Sequence, residues 1–372
     1  MRKRQITATA VAIGAALVVA ACGSSNSSSS APAPGGSSSS SSSSSGGSGT
    51  INGAGSTFAA PIYMQWGSTL KGQGLTVNFN AVGSGAGVAQ LQSATVDFAG
   101  SDPAMKPDEV KAAKGPVAQF PIGFGAITVS YNLSGIKSGI KLDGKTLADI
   151  FLGKVKTWNN PEITALNPGM SLPSTAITVV HRSDSSGTTK AFTTYLSDYS
   201  PAWTAAAGMP DKIVKWPVGT GAKGNSGVAA AIKQTAGGIG YVEQAYALQN
   251  GFTYASVKNS SGKFIAPTLA AASAAAEGIK VPPDLAISTI NSPNAAAYPI
   301  TSQTFVITYK DMCKAGISQA AASGVKKFLD YGLGTAGQGV EKQLFYAPLP
   351  ASLLSKAQAQ LKTLTCNGSP LQ

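Results

Sequence analysis

Residues 177–188 read ITVVHRSDSSGT, and the fold class is predicted from the order of elements in this stretch. The β-branched run Ile177 to Val180 is typical of a short buried strand. A small polar segment follows, and from Thr188 to Leu196 the apolar residues recur at helical spacing. Strand, polar turn and helix in this order are typical of an α/β protein with mainly parallel sheets.

Strands and helices alternate in the same way between Thr50 and Gln372. This length is too great for one typical domain and suits two. Further strands are predicted at residues 75–79, 126–131, 239–242 and 304–309, and further helices at residues 57–70, 85–92, 146–151, 227–234 and 324–331.

Two of the helical segments differ in their predicted burial. Phe58, Ile62, Trp66 and Leu70 recur every four residues, which places them on one buried face of the first helix. The alanine-rich stretch 267–278 almost lacks large apolar side chains. It is therefore predicted to be a peripheral helix on the surface.

The first 21 residues are predicted to be a signal peptide. Basic residues at positions 2–4 precede an apolar run that is shorter than the roughly 20 residues of a membrane-spanning helix. The string VAAC at residues 19–22 resembles a bacterial lipobox, in which cleavage precedes the cysteine and its sulfur receives a diacylglycerol. Cys22 would then be a lipid anchor, with palmitate among its acyl chains. An ordinary signal peptide with a chance cysteine is the alternative.

Residues 22–49 are predicted to form the lipid anchor and a disordered linker. From Ser24 to Gly49 the chain contains only Ser, Gly, Pro, Ala and Asn, which cannot bury enough surface to offset chain entropy. A flexible coil of this length would span roughly 30 Å. The folded part is thus predicted to stand clear of the membrane surface.

Composition argues against nucleic-acid binding and against a metal site. The formal net charge is +12, but only 12% of residues are charged, and no basic cluster follows a nucleic-acid backbone. With Cys22 committed to lipid, Cys313 and Cys366 form an even pair that predicts a disulfide in an exported protein, two free thiols being the alternative. Three cysteines and the single His181 argue against a zinc site, and no cofactor is predicted.

Three small, glycine-rich segments each open a predicted helix: GAGSTF at residues 53–58, GSGAG at 83–87 and DSSGT at 184–188. Each offers backbone N–H groups and hydroxyls at the positive end of a helix dipole, which is what an oxyanion requires. Taken singly, each could be an ordinary N-cap. The three together predict an oxyanion site.

Two charged residues complete the predicted site. Arg182 follows a strand, where ligands of open α/β sheets bind, and can give forked hydrogen bonds; Asp184 could steady its guanidinium. Asp102 ends the strand-like string VDFAGSD at residues 96–102. Its carboxylate would repel sulfate but accept a hydrogen bond from a phosphate that still carries a proton. The alternative for Asp102 is a structural role in an Asx-turn, and the alternative for Arg182 is an ordinary position on the protein surface.

Eight short strings are spread along the chain from about Ile51 onward: GAGSTF (53–58), VDFAGSD (96–102), LDGKTL (142–147), KTW (156–158), LNPG (166–169), RSDSSGT (182–188), GIGYVE (238–243) and YPIT (298–301). Through these strings the chain resembles the phosphate-binding proteins of Pst-type ABC phosphate importers. It departs from the family pattern at Ala59, Gly85 and Ser185, where proline, serine and glycine are common.

The resemblance implies a two-lobed, type II-like periplasmic-binding-protein fold with the ligand in the cleft between the lobes. Two crossing hinge strands would lie near residues 128–132 and 299–305. Domain I would comprise residues 50–129 and 303–372, and domain II residues 130–302. The implied phosphate contacts are Thr57, Phe58, Ser84, Asp102, Arg182, Ser186, Gly187 and Thr188.

The implied function is that of a monomeric lipoprotein on the extracytoplasmic face of a bacterial cell membrane. It would pass inorganic phosphate to the permease subunits of an ABC importer and would not be an enzyme.

Two other functions are left as alternatives by the sequence: binding of another oxyanion, and a surface adhesin or antigen role. A phosphoesterase is disfavoured because Val82 and Asp184 replace the first glycine of G-x-S-x-G at Ser84 and Ser186. The glycine-rich residues 219–227 lack the GK[ST] ending of a nucleotide-binding loop.

Overall fold

A computed structural model describes residues 49–372. The predicted signal peptide, Cys22 and all of the predicted linker except Gly49 lie outside the described residues. Gly49 itself is the first residue of a strand. Within residues 49–372, no helix combines the length and the apolar character needed to cross a bilayer.

The predicted alternation of strands and helices is present. The observed bounds differ from the predicted ones by no more than five residues, except that β4 begins at Val117, nine residues before the predicted start at Ala126. The strands are β1 (Gly49–Gly55), β2 (Leu75–Asn80), β3 (Phe98–Ser101), β4 (Val117–Tyr131), β5 (Lys141–Leu142), β6 (Thr178–Arg182), β7 (Thr220–Ala222), β8 (Gly238–Glu243), β9 (Thr253–Tyr254), β10 (Ser256–Lys258), β11 (Phe264–Ile265), β12 (Thr301–Tyr309), β13 (Ala347–Pro348), β14 (Thr365–Cys366) and β15 (Ser369–Pro370). The helices are α1 (Ala60–Lys71), α2 (Ser84–Gln92), α3 (Pro107–Lys111), α4 (Gly144–Phe151), α5 (Pro161–Thr164), α6 (Gly187–Tyr199), α7 (Pro201–Ala207), α8 (Gly224–Gln234), α9 (Gln244–Gln249), α10 (Leu269–Ala276), α11 (Gln319–Gly332), α12 (Thr335–Gln343) and α13 (Ala351–Leu361).

The main sheet has the strand order β2-β1-β3-β12-β4-β8-β6-β7. Pairing is parallel among β1, β2 and β3 and among β6, β7 and β8, whereas β4 and β12 pair antiparallel to their neighbours. We call the half that contains β1–β3 lobe I and the half that contains β6–β8 lobe II. The predicted two-lobed α/β fold is confirmed, and the sheet is mixed because the strands that join the lobes are antiparallel.

Strand β4 passes from one lobe to the other. Residues 117–126 pair with β12, and residues 127–131 pair with β8 in lobe II. The register shifts between Thr304 and Phe305, opposite Gly123 and Pro121. Proline cannot donate to a strand ladder, which suits it to such an irregularity. The predicted hinge ranges fall on β4 and β12, while the predicted domain bounds stay a prediction.

Helix α1 buries the face that the four-residue spacing predicts. Ile62, Trp66 and Leu70 are buried, and so is Phe58, which precedes the helix. The helix begins at Ala60 rather than Thr57. The Ser56 hydroxyl accepts the Ala59 N–H at 3.1 Å, so the residues between them form a turn before the helix.

The alanine-rich helix α10 is buried, so the prediction that it is peripheral was wrong. Five of its alanines are buried, and the helix contacts β4 and β13. Small side chains let the helix backbone approach the sheet closely, which replaces the apolar bulk that the sequence lacks. The Tyr298 N–H donates to the Ala271 carbonyl at 3.0 Å, which fixes the helix to the chain entering β12.

The predicted disulfide between Cys313 and Cys366 is present, with the two Cα atoms 4.7 Å apart. It joins the loop after β12 to β14. The Asp311 carboxylate supports the same junction, because it accepts the N–H groups of Asn367 and Gly368, each at 2.8 Å. The segment that contains β14 is thereby held against the end of β12.

Replacing both bridged cysteines, Cys313→Ala with Cys366→Ala, should lower the free energy of unfolding. The bridge spans 53 residues. A loop of that size stabilises the folded state by about 4 kcal/mol through the entropy of the unfolded chain. Urea unfolding of the oxidised chain and the double variant measures the difference. Equal midpoints for the two proteins would contradict this expectation.

Candidate functional site

The predicted site residues meet at one place, between the two lobes. Thr57 follows β1, Ser84 begins α2 and Asp102 follows β3, all in lobe I. Arg182 ends β6 in lobe II, and Ser186, Gly187 and Thr188 lie at the start of α6. The six polar side chains in this set are each at most 6% exposed. The carboxyl ends of parallel strands from both lobes therefore face one buried space.

The lobes are closed on each other around this space. The Gly85 N–H of lobe I donates to the Ser185 carbonyl of lobe II at 3.1 Å. From lobe II, the Tyr246 hydroxyl donates to the Thr57 carbonyl at 2.6 Å, and the Asn225 N–H donates to the Thr57 hydroxyl at 3.2 Å. Four backbone groups beside the site, two N–H groups and two carbonyls, are thus paired across the closed cleft.

Two ion pairs cross the outer edge of the cleft. Lys106 of lobe I pairs with Asp211 of lobe II at 2.6 Å, and Lys212 of lobe II pairs with Glu109 of lobe I. The first pair is half-exposed and contributes little by itself. The Lys212 side chain is buried, and its carbonyl accepts the Ser186 N–H at 2.9 Å. The edge of the cleft is therefore tied directly to the start of α6.

Asp102 is a buried carboxyl surrounded by hydroxyl donors. Ser56 and Thr304, the latter at 3.1 Å, donate to Oδ1, and Ser84 donates to Oδ2 at 3.3 Å. Burial raises the pKa of Asp102 to about 6, although the three hydroxyls and the charge of Arg182 act in the opposite direction. At neutral pH the group is therefore mainly ionised, and Oδ2 keeps capacity for a further donor.

Arg182 is held in a forked pair with Asp184. Its Nε donates to Asp184 Oδ1 at 2.7 Å and its Nη2 donates to Oδ2. Burial acts to raise the pKa of the Asp184 carboxyl, but the bonds and charge of Arg182 hold that pKa below its ordinary value. Nη1 donates to the Thr188 hydroxyl at 3.3 Å, so this side of the guanidinium faces the start of α6.

The start of α6 offers backbone donors to the buried space. Ser186 is the N-cap, and its hydroxyl oxygen accepts the Thr189 N–H at 3.1 Å. The N–H groups of Gly187 and Thr188 are the first two of the helix and have no acceptor within it. Gly187 lies so close to lobe I that a Cβ atom would be 2.5 Å from Asp102 Oδ2.

Phe58 and His181 have clear packing roles. The Phe58 ring packs edge-on against Tyr346, whose hydroxyl donates to the Phe58 carbonyl. The His181 ring stacks on Trp216 with centroids 4.6 Å apart, and its Nδ1 lies 3.0 Å from the Arg182 carbonyl. Burial lowers the pKa of His181, so the imidazole is neutral at pH 7. This is the environment of a packed side chain rather than of a base for a serine.

Three site residues were missed at the sequence level. Ser56 and Thr304 donate to Asp102, and Asn225 donates its side-chain N–H to the Thr57 hydroxyl at 2.9 Å. Asn225 lies in the first turn of α8, which begins at Gly224 rather than at Gly227 as predicted. The glycine-rich residues 219–227 indicated that a helix begins near here. The neighbouring sequence does not indicate that this first turn contacts Thr57 of lobe I.

A cavity of about 340 Å³ lies beside the site. Its wall includes Asp102 and Gly187, together with Lys190 of α6 and residues of β12. Burial lowers the pKa of Lys190, with the neighbouring charge of Lys106 acting in the same direction.

Comparisons with known proteins agree with this architecture. The family described as "PBP superfamily domain" matches residues 40–335. A phosphate-binding protein PstS of Pasteurella multocida is 42% identical over 318 residues, which cover 84% of this chain and 90% of that protein. Its counterpart in Haemophilus influenzae is 41% identical, with 84% and 93% covered. The solved structure of a high-affinity periplasmic phosphate-binding protein bound with phosphate has the same fold, with a TM-score of 0.70 at 23% identity over 86% of this chain and 96% of that one.

Gly187→Ala should hinder closure of the lobes, because the added Cβ would lie 2.5 Å from Asp102 Oδ2 and 2.7 Å from Pro103 Cδ. Overpacking of this kind costs about 1–3 kcal/mol, so closure should weaken by roughly 5- to 150-fold. Fluorescence energy transfer between dyes on the two lobes, with phosphate present, measures the closed fraction. Gly339→Ala is the matched control, because its added Cβ meets nothing within 4 Å. A closed fraction in Gly187→Ala equal to that of the control would contradict the expectation.

Proposed function

Because the chain belongs to the phosphate-binding protein family of the PBP superfamily, we propose that it binds inorganic phosphate in the closed cleft and delivers it to the permease subunits of an ABC importer. The observation that carries this proposal is the meeting of Arg182, the start of α6 and Asp102 in one buried space. Few ligands other than a small, partly protonated oxyanion satisfy a guanidinium, helix-start amides and a carboxylate together.

We assign the phosphate contacts to the predicted set. Arg182 supplies the positive charge, with Asp184 as its support, and the amides of Gly187 and Thr188 lie at the positive end of the α6 dipole. The remaining contacts come from hydroxyls, from one amide of the turn before α1 and from the acceptor Asp102. They are Thr57, Phe58, Ser84, Asp102, Ser186 and Thr188.

Asp102 gives the site its choice of ligand. An ionised carboxylate can accept a hydrogen bond from a phosphate that retains a proton, but it faces a sulfate oxygen as one negative charge faces another. The carboxyl is 3% exposed, so water does not screen this repulsion well. The rejection of sulfate is therefore built into the lobe I side of the cleft.

Capture and release follow from the contacts between the lobes. An open cleft admits phosphate, and the bound anion then joins donors from both lobes, which favours closure. We place the moving bodies at residues 50–129 with 303–372, and at residues 130–302. Within this scheme the chain acts as a monomeric carrier and performs no catalysis.

We further propose that the chain is exported and held at the extracytoplasmic face of a bacterial cell membrane by lipid on Cys22. The basic and apolar signal segment, the VAAC string and the serine-rich linker support this arrangement. A tether of this kind keeps the carrier near its permease.

Calorimetric titration with phosphate and sulfate tests the function. We expect one phosphate bound per chain and much weaker sulfate binding. In Asp102→Asn the ratio of the two affinities should narrow by about 10- to 100-fold, since a hydrogen bond to a charged group contributes about 1.5–3 kcal/mol. Asp108→Asn is the control, because Asp108 lies in α3 outside the buried site. Equal affinities for the two anions in the unsubstituted chain would refute the proposal.

The pH dependence of sulfate binding tests the role of Asp102 separately. Sulfate keeps its full charge between pH 8 and 5, whereas Asp102, with its pKa raised to about 6, becomes protonated as the pH falls through that value. A protonated carboxyl can donate to sulfate. Sulfate affinity should therefore rise toward pH 5 in the unsubstituted chain and stay flat in Asp102→Asn. A parallel rise in the variant would assign the effect to another group.

Cys22→Ser tests the anchor. The variant should move from the membrane fraction to the soluble fraction and lose incorporation of labelled palmitate, because the only proposed acyl acceptor is gone. Phosphate affinity should not change, since the cleft lies within the folded lobes. Membrane retention of the variant would contradict the proposed lipid attachment.

A further inference from the structure

We propose that Asn225 is a positioning residue that directs the hydroxyl hydrogens of Thr57 and Thr188 toward the bound anion, and that it does so for Thr57 only when the lobes are closed. This inference rests on the proposed function, because it concerns how the same site recognises phosphate. Asn225 is fully buried in the first turn of α8.

The orientation of the Asn225 amide is fixed by the backbone. The N–H of Glu243, at the end of β8, donates to Asn225 Oδ1 at 3.0 Å. A backbone N–H requires an acceptor, so the oxygen of the amide must face Glu243 and the NH₂ group must face the opposite way. The NH₂ group is therefore directed at the two threonines.

The acceptor capacity of the Thr57 hydroxyl is filled by one residue. Its oxygen accepts the Asn225 backbone N–H at 3.2 Å and the Asn225 side-chain N–H at 2.9 Å. A hydroxyl has two acceptor sites and one hydrogen to donate. With both acceptor sites taken, its remaining interaction is donation, and within residues 49–372 it donates to no protein group.

The acceptor sites of the Thr188 hydroxyl are also filled, in this case by two residues. Its hydroxyl oxygen accepts Arg182 Nη1 at 3.3 Å and Asn225 Nδ2 at 3.4 Å. These bonds are longer than those to Thr57, so the effect of Asn225 on Thr188 is the smaller one. The hydrogen of this hydroxyl is again left for the anion.

The pairing of Asn225 with Thr57 joins the two lobes. Thr57 follows β1 in lobe I, whereas Asn225 belongs to α8 of lobe II. In an open cleft the Thr57 hydroxyl is free to rotate and to accept hydrogen bonds from water. Closure brings Asn225 onto it and converts it into an obligatory donor, so recognition by this hydroxyl is completed in the closed state.

A double-mutant cycle with Asn225→Ala and Thr57→Val tests the proposal by calorimetric titration with inorganic phosphate. Asn225→Ala should weaken binding by about 10- to 100-fold, the range of a hydrogen bond to a charged group. In the Thr57→Val background the same change should weaken binding by a smaller factor, because the hydroxyl it directs is absent. Equal factors in the two backgrounds would overturn the proposal.

The association and dissociation rates of phosphate give a second measurement, which a purely structural role of Asn225 would leave unchanged. The dissociation rate should rise in Asn225→Ala, while the association rate should stay within about threefold, because the Thr57 contact forms after the encounter. Asn259→Ala is the matched control. Asn259 is also buried in lobe II, and its side-chain N–H groups donate only to backbone carbonyls, at Ala295 and Ala297. It should lower the melting temperature without changing either rate, and an unchanged dissociation rate in Asn225→Ala would count against the proposal.

Asn225→Asp keeps the test open if Asn225→Ala does not fold. The introduced carboxylate has the same shape but accepts hydrogen bonds, so it draws the hydroxyl hydrogens of both threonines away from the anion. Phosphate binding should weaken more than about 100-fold, since two donors are reversed and a negative charge is added. A loss below tenfold would overturn the proposal. Failure of the unsubstituted chain to bind phosphate would instead overturn the proposed function itself.

Discussion

The buried carboxylate of Asp102, set across the closed cleft from the Arg182 guanidinium, is the constraint on which the rest of the site depends. Ionised groups that leave water lose solvation and must recover it from hydrogen bonds and from each other. Asp102 recovers it from Ser56, Ser84 and Thr304, and Arg182 from Asp184. The glycine-rich turns, the strand ends and the helix starts are arranged so that these partners can meet.

The charges of the pocket do not by themselves attract an anion. Arg182 is balanced by Asp184, and Asp102 adds a further negative charge. In the proposed function the guanidinium of Arg182 is therefore supplemented by dipoles, which are the first-turn amides of α6 and the hydroxyls that have hydrogens to donate. In the proposed function, the site would distinguish phosphate from sulfate by the hydrogen that phosphate can donate to Asp102.

Local sequence was sufficient to find most of this architecture. Strand-turn-helix patterns located α2, α6 and Arg182, because the end of a strand and the start of a helix are determined by residues that are close together in the sequence. The missed contributions are those made over long separations. Thr304 reaches Asp102 across 202 residues and Asn225 reaches Thr57 across 168, and no single sequence shows such encounters. Helix α10 was misjudged because alanine gives little apolar signal, although its small size is what lets it approach the sheet.

The irregular register of β12 has a consequence for the opening of the cleft between the lobes. Thr304, the residue at which pairing with β4 shifts, belongs to a strand that joins the lobes and also donates to Asp102. A movement of the lobes that bends β12 at Thr304 would therefore change the hydrogen bonding of the Asp102 carboxylate. In the proposed function this carboxylate distinguishes phosphate from sulfate, so opening of the cleft would weaken selectivity at the same time as it releases the anion.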